Sequence, residues 1–171
     1  MEKKIRRVFY SFYYKEDYWR ASQIRNMGVI EGNASVSDND WEAITSGGDE
    51  AIKKWINEQL NGKSCAIVLI GTNTAGRKWI NYEIKKAWDD GKGLLGIYIH
   101  NLEDNSKPSG RQSQRGSNPF DGFTVGEDKK KLSDVVKAYN PPFVTSTYVY
   151  NHIKENLGSW VEEAITIRNS V

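Results

Sequence analysis

The sequence has only one cysteine, Cys65, among its 171 residues. A single thiol can form neither an intrachain disulfide framework nor a thiolate metal site. The only two histidines are His100 and His152, and neither a cysteine nor a pair of carboxylates accompanies them at the spacing of metal ligands. These absences exclude the disulfide-rich scaffolds and give no reason to expect a metal.

The chain also lacks an excess of charge of one sign and any long apolar run. Lysine and arginine number 24 and aspartate and glutamate 22, so the net charge of +2 gives no electrostatic reason to expect nucleic-acid or membrane binding. The apolar run from Ala66 to Ile70 is far too short to cross a bilayer. Arg6 and Arg7 stand where a signal peptide needs its apolar stretch. We therefore expect a cytoplasmic protein.

What the sequence does contain is enough apolar material for one core, with 38% hydrophobic and 12% aromatic residues. Its length suits a single domain over residues 1–171. Three continuous apolar runs are typical of parallel strands buried on both faces, and Ala34–Val36 is a candidate fourth. The three runs are Val8–Phe12, Cys65–Ile70 and Leu94–Ile99. Amphipathic helical stripes alternate with them, so the pattern predicts an α/β sandwich with a central parallel sheet.

Some stretches do not fit this alternation. Asp104–Gly126 is polar, contains two prolines and shows no periodicity, which predicts a long loop. Within Thr145–Asn156, Tyr148–Tyr150 favours a strand while the residues from Ile153 onward could begin the last helix, and the sequence leaves both open. Lys129–Lys131 is expected to be the solvated start of a helix.

A glutamate on the predicted helix from Trp79 to Asp90 is the main candidate for chemistry. Trp79 and Glu83 are four residues apart and therefore share one side of the helix. Glu83 falls on the flank of the apolar stripe, roughly 60° from its centre. The helix follows the carboxyl end of a strand, where ligands bind in open parallel sheets, so a carboxylate shielded there would act strongly on a ligand. The alternative is a solvated residue paired with Lys86 on the next turn.

Two other families are excluded by the residues after the second long strand. The glycine-rich stretch 71–78 resembles a phosphate-binding P-loop, but Arg77 displaces the required lysine and Trp79 replaces the hydroxyl residue that binds magnesium. Gly71 stands where a response-regulator receiver needs its phosphorylated aspartate.

Longer motifs resemble those of TIR-like domains. The stretch RRVFYSF at residues 6–12, followed by Tyr14 and Asp17, resembles the first strand and loop of that family. AIVLIG at 66–71 and RKWINYEI at 77–84 resemble the third strand and the Trp-x-x-x-Glu helix that carries the catalytic glutamate. The agreement extends to DWE at 40–42 and NPFD at 118–121. It covers about residues 6–160 and is closest to the TIR-like sensors of the Thoeris antiphage system.

The resemblance implies a flavodoxin-like, TIR-type three-layer sandwich that cleaves the nicotinamide–ribose bond of NAD, with Glu83 as the catalytic residue. NAD would be the substrate, and no further cofactor is implied. Ordinary glycosidases need two carboxyl groups, one of them to protonate the leaving oxygen. Nicotinamide leaves NAD as a neutral molecule, so one carboxylate that stabilises the oxocarbenium-like transition state is sufficient.

Around Glu83 the resemblance implies a substrate pocket built from aromatic rings and polar groups. Its expected lining is Phe9, Ser11, Phe12, Tyr14, Asp40, Trp41 and Trp79. For Phe9, plain packing within the strand is an equal alternative, and Asp40 with Trp41 could instead only cap and pack the next segment. We expect Ser11, Phe12 and Glu83 to share one cavity, because strand ends meet at the same edge of the sheet.

The resemblance also implies partners. An active enzyme of this family would close ADP-ribose into a cyclic signal for a separate effector protein, after activation by a phage-derived trigger. The alternative is a non-catalytic TIR-like module that assembles with other TIR domains, and homo-oligomers are compatible with either hypothesis. The sequence does not specify the product, the trigger or the oligomer.

Overall fold

The computed structural model describes residues 6–32, 43–104 and 112–171. These residues form a central sheet with helices on its two faces and a separate two-stranded antiparallel sheet. In chain order the elements are β1 (Val8–Ser11), α1 (Tyr14–Arg25), α2 (Gly48–Leu60), β2 (Cys65–Ile70), α3 (Lys78–Asp89), β3 (Gly93–Tyr98), a 3₁₀ helix (Pro119–Gly122), β4 (Thr124–Val125), β5 (Lys130–Lys131), α4 (Leu132–Val135), β6 (Ala138–Tyr139) and α5 (Ser146–Asn169).

The central sheet has the strand order β1-β2-β3-β6, and all neighbouring strands are parallel. Every residue of β1, β2 and β3 is buried. Continuous apolar strands of this kind need helices on both faces, and the chain provides them. The predicted α/β sandwich with a parallel sheet is therefore confirmed. The ends of β1, β2, β3 and α3 lie within one residue of those predicted.

The two faces of the sheet form two separate cores. The first core packs Tyr10 and the odd-numbered residues of β2 and β3 against α1 and α5. The second packs Phe9, the even-numbered residues of β2 and the even-numbered apolar residues of β3 against α2 and α3. Because side chains alternate along a strand, each residue's face follows from its position. Ser11 is two residues after Phe9 and so faces the α2/α3 side.

A parallel bridge joins Arg7 to Glu31 on the side of β1 away from β2. It places the chain after α1 beside β1, in the flavodoxin-like order expected for this fold class. The candidate strand Ala34–Val36 follows this bridge but lies outside the described residues.

The sequence-based predictions for the irregular regions need correction. The predicted loop Asp104–Gly126 contains the 3₁₀ helix and β4. Phe120 in that helix is fully buried, because its ring fills the space beside Gly96. The Thr145–Asn156 region begins the 24-residue helix α5 and contains no strand. Lys129 lies in a turn with a φ of 51°, and the two lysines after it form β5 rather than the start of a helix.

Helix α5 is long, but polar residues recur along it. Among the described residues, no helix combines the length and the apolar character needed to span a membrane.

Candidate active site

Glu83 is buried in the second turn of α3, with 8% of its surface exposed. The helix packs Ile80, Ile84 and Ala87 into the core, and Glu83 lies next to this stripe. The predicted position beside the stripe is correct, but the side chain is more deeply buried than a flank position implies. The alternative ion pair does not form, because Lys86 Nζ binds Asp90 Oδ1 at 3.1 Å.

Burial controls the ionisation of this carboxyl group. Desolvation raises the pKa of Glu83 to about 8, because a charged carboxylate is poorly solvated in the protein interior. The Ser11 hydroxyl acts in the opposite direction and lowers this pKa by favouring the charged form. Within the described part of the chain, neither Glu83 Oε2 nor Ser11 Oγ has a well-aligned hydrogen bond. Two buried polar groups with spare hydrogen-bonding capacity therefore meet at the end of β1, as is typical of a binding site.

This arrangement predicts how Ser11 tunes the carboxyl group. We expect NMR titration of the Glu83 side-chain carboxyl carbon to give a midpoint near the pKa of about 8, and the Ser11→Ala variant to titrate at higher pH. Removal of the hydroxyl takes away a neighbour that favours the charged form. Ser22→Ala is the matched control, because the Ser22 hydroxyl bonds the Trp19 carbonyl on the surface of α1. An equal midpoint in Ser11→Ala and wild type would show that the hydroxyl does not act on Glu83.

The turn between β2 and α3 lies at the carboxyl edge of the sheet, which is the edge where the parallel strands end and where Ser11 lies. Thr74 Oγ1 accepts a hydrogen bond from Gly71 N at 2.8 Å, which closes the turn. A Cβ at Gly71 would lie 2.1 Å from Asp17 Oδ2, so only glycine lets the turn approach α1 so closely. Asp17 Oδ1 in turn accepts from Arg20 Nη1 at 2.9 Å.

This Asp17–Arg20 pair on α1 contacts two loops at the carboxyl edge, the β2–α3 turn at Gly71 and the chain that leaves β3. Arg20 Nε donates to the Leu102 carbonyl at 2.8 Å, so the pair also holds the chain that leaves β3. Both side chains are at least 95% buried. Burial raises the pKa of Asp17 to about 6, and Arg20 opposes that rise. Sequence reasoning noted Asp17 only as part of a motif; its i, i+3 spacing to Arg20 was the available signal for the pair.

Residues 112–118 run across the carboxyl edge of the sheet. Ser113 N donates to the His100 carbonyl at 2.8 Å, and Thr72 Oγ1 donates to the Gln114 carbonyl. A Cβ at Gly116 would lie 2.1 Å from the Gly71 carbonyl oxygen, so the backbone packs directly on the β2–α3 turn. This covering segment brings Arg115 to the edge, where its guanidinium lies 4.6 Å from the ring centroid of Tyr98.

The other expected pocket residues occupy different places. Phe9 is 1% exposed and packs in the α2/α3 core, as its packing alternative requires. Phe12 packs against the opposite core, so its ring is not brought to the side of the sheet that carries Ser11. The Tyr14 ring lies 6.2 Å from the ring of Phe12, and the Trp79 ring lies 5.8 Å from that of Tyr82. Their contacts with substrate stay predictions.

Asp40 and Trp41 lie outside the described residues. Their expected contribution to the pocket therefore also stays a prediction.

A second concave feature lies away from this edge. An open groove of about 540 Å³ runs between α2 and α3, and its lining includes Asn57, Tyr82 and Lys92 but not Glu83. Lys92 immediately precedes β3, which places the groove toward the opposite, amino edge of the sheet. The groove is lined by exposed and half-buried side chains of both charges, and none of its lining residues is a buried polar group, so the carboxyl edge is the better candidate site.

A parallel α/β sandwich with a buried glutamate on the helix after the second long strand, beside a serine that ends the first, has the architecture of a TIR-like domain. Comparison of sequences agrees, because residues 9–104 match the family model described as "Thoeris protein ThsB, TIR-like domain". The chain belongs to this family.

One individual relative gives a similar result. A protein of Bacillus cereus (strain MSX-D12) named "Putative cyclic ADP-D-ribose synthase ThsB1" is 36% identical over 134 residues, which cover 74% of this chain and 68% of that protein. Among solved structures, the sugar isomerase domain of an RpiR transcription factor from Sphaerobacter thermophilus matches with a TM-score of 0.36 and 8% identity, over 96% of this chain and 75% of that one. That structural similarity is too low to carry an argument.

Proposed function

We propose that this protein cleaves the nicotinamide–ribose bond of NAD and closes the resulting ADP-ribose into a cyclic signal for a separate effector protein. The observation that carries the proposal is the buried Glu83 carboxyl, whose Oε2 lacks a well-aligned partner beside Ser11 at the carboxyl edge of the sheet. The name of the Bacillus cereus relative supports the same chemistry.

Cleavage needs no acid to protonate the leaving group. The electron pair of the bond between ribose C1′ and the nicotinamide nitrogen moves to the ring, which leaves as neutral nicotinamide. Positive charge then develops on the ribose, and the Glu83 carboxylate stabilises it in a site from which water is largely excluded. A hydroxyl of the same ADP-ribose, or water, then bonds to C1′ and loses a proton.

The raised pKa of Glu83 couples the ionisation of this carboxyl group to the binding of substrate. In the unliganded protein at neutral pH the carboxyl group is mostly protonated, because its pKa is about 8. A bound pyridinium cation favours the charged form of a nearby carboxyl group and lowers its pKa. Substrate binding and generation of the catalytic carboxylate are therefore coupled.

The experiment is incubation of the protein with NAD, with and without lysate of phage-infected cells, followed by mass spectrometry. We expect NAD loss matched by nicotinamide release, with a product that has the mass of cyclic ADP-ribose. A product with the mass of linear ADP-ribose would support the proposed cleavage but exclude the proposed cyclisation. Intact NAD in the presence of lysate that activates the defence in cells would exclude both.

A non-catalytic interaction module is the second candidate, and one observation favours it. Phe143, Val144 and Tyr148 are exposed by 41%, 72% and 59% respectively, and they precede or begin α5. Contiguous exposed apolar side chains are typical of protein–protein contacts. This hypothesis predicts assembly with other TIR domains, measured by analytical ultracentrifugation, without consumption of NAD.

A further inference from the structure

Two arginines at the carboxyl edge of the sheet lie against aromatic rings. The Arg77 guanidinium is 3.7 Å from the ring centroid of Tyr13, and that of Arg115 is 4.6 Å from the ring of Tyr98. Across residues 6–32, 43–104 and 112–171, neither arginine forms an ion pair with a carboxylate. Stacking orients each guanidinium while its N–H groups keep capacity for an anion.

Both arginines are attached to the turn that leads into the Glu83 helix. Arg77 immediately precedes α3, and its Nε donates to the Asn73 carbonyl at 2.9 Å. Arg115 follows Gln114, whose carbonyl accepts the Thr72 hydroxyl. Glu83 lies six residues after Arg77, which is about 9 Å along the helix axis.

Nearby acidic groups are already engaged. The Glu16 carboxylate accepts the Asn73 amide at 2.8 and 3.0 Å, and Asp17 is paired with Arg20. The positive charge of Arg115 also acts on His100, the residue that follows β3 and Ile99. Burial lowers the pKa of His100, and the charges of Arg115 and Arg20 lower it further. The edge of the sheet near which Glu83 lies therefore carries two oriented cations.

We propose that Arg77 and Arg115 bind the diphosphate of the dinucleotide substrate and so place its nicotinamide ribose at Glu83. The inference rests on the proposed function. In NAD, a single ribose separates the reacting C1′ from the diphosphate, so groups that bind the diphosphate must lie at the same edge of the sheet as Glu83, as Arg77 and Arg115 do. Guanidinium groups bind phosphate oxygens through paired N–H donors, which fixes orientation as well as charge.

The test measures NAD cleavage by the lysate-activated protein in Arg77→Ala and Arg115→Ala, with Arg168→Ala as the control. Arg168 stacks on Trp88 at 4.5 Å near the other end of α3 and is therefore matched in geometry but remote from the site. We expect each site variant to raise KM for NAD by about 10-fold, with a smaller change in kcat, because a charge-assisted contact to bound substrate is lost. The constant for competitive inhibition by ADP, which retains a diphosphate, should rise in parallel, and Arg→Lys should recover part of both losses.

The outcomes separate this inference from the proposed function. NAD cleavage with unchanged KM and unchanged ADP inhibition in both site variants overturns the diphosphate site and leaves the function standing. A fall in kcat with no change in ADP inhibition also overturns it, because that result indicates altered geometry at Glu83. If NAD stays intact with wild type, the function fails, and calorimetric titration with ADP-ribose decides the site: loss of binding in the two variants but not in Arg168→Ala supports it, and equal or absent binding overturns it.

Discussion

Replacement of Glu83 by glutamine is expected to lower the turnover of NAD by about 100-fold or more, the scale of losing one positioned electrostatic contact. Glutamine keeps the size of the side chain and can still hydrogen-bond, but it cannot carry the negative charge that stabilises the cationic ribose. The measurement is kcat for nicotinamide release by the lysate-activated protein. Because only the charge is removed, the loss should appear mainly in kcat.

Asp89→Asn is the matched control for this experiment. Asp89 is an exposed carboxylate at the other end of the same helix, where it pairs with Lys85 at 3.1 Å. Its neutralisation removes one negative charge from α3 without touching the site, so turnover should stay close to that of wild type. Undiminished turnover in Glu83→Gln would show that another group carries the reaction.

The same substitution is expected to stabilise the protein at alkaline pH. The pKa of Glu83 is raised from the ordinary 4.5 to about 8 by burial, so the folded state holds this proton more tightly than the unfolded state does. The wild type therefore loses stability as pH rises from 4.5 to about 8, where the buried group must ionise. Each pKa unit corresponds to about 1.4 kcal/mol, so the cumulative effect is several kcal/mol.

Urea unfolding of wild type and Glu83→Gln across this pH range measures the difference. Near pH 4 the two proteins should have similar free energies of unfolding, because Glu83 is then neutral in both states of the wild type. The advantage of the variant should grow as pH rises and level off above about pH 8. A difference between the proteins that does not change with pH would contradict the raised pKa.

The strands could be predicted because their continuous apolar pattern is typical of one arrangement, a parallel sheet that is buried on both faces. A continuous apolar run such as Cys65–Ile70 must be buried on both faces, which requires a sheet between two layers of helices. Helical periodicity likewise placed Glu83 beside the apolar stripe of α3. Its degree of burial could not be predicted, because it depends on contacts made by residues distant in sequence, including Ser11.

The start of α5 shows where local preference fails. Tyr148, Val149 and Tyr150 favour a strand, yet they lie in the first turns of a helix. Val149 and Ile153 are four residues apart and both pack in the α1/α5 core, while Tyr148 faces outward. This tertiary packing outweighs the weak intrinsic preference. The position of the covering segment 112–118 could not be predicted from the sequence either. Hydrogen bonds to backbone carbonyls hold this segment, and such bonds leave no apolar pattern in the sequence.

The pH dependence of kcat/KM tests most directly whether the charged form of one buried carboxyl group cleaves NAD. This ratio reports ionisations of the free enzyme, so it should rise with pH and reach a plateau above the Glu83 pKa of about 8. Ser11→Ala should move the rise to higher pH. A ratio that falls through this range, or stays flat across it, would contradict catalysis by the Glu83 carboxylate.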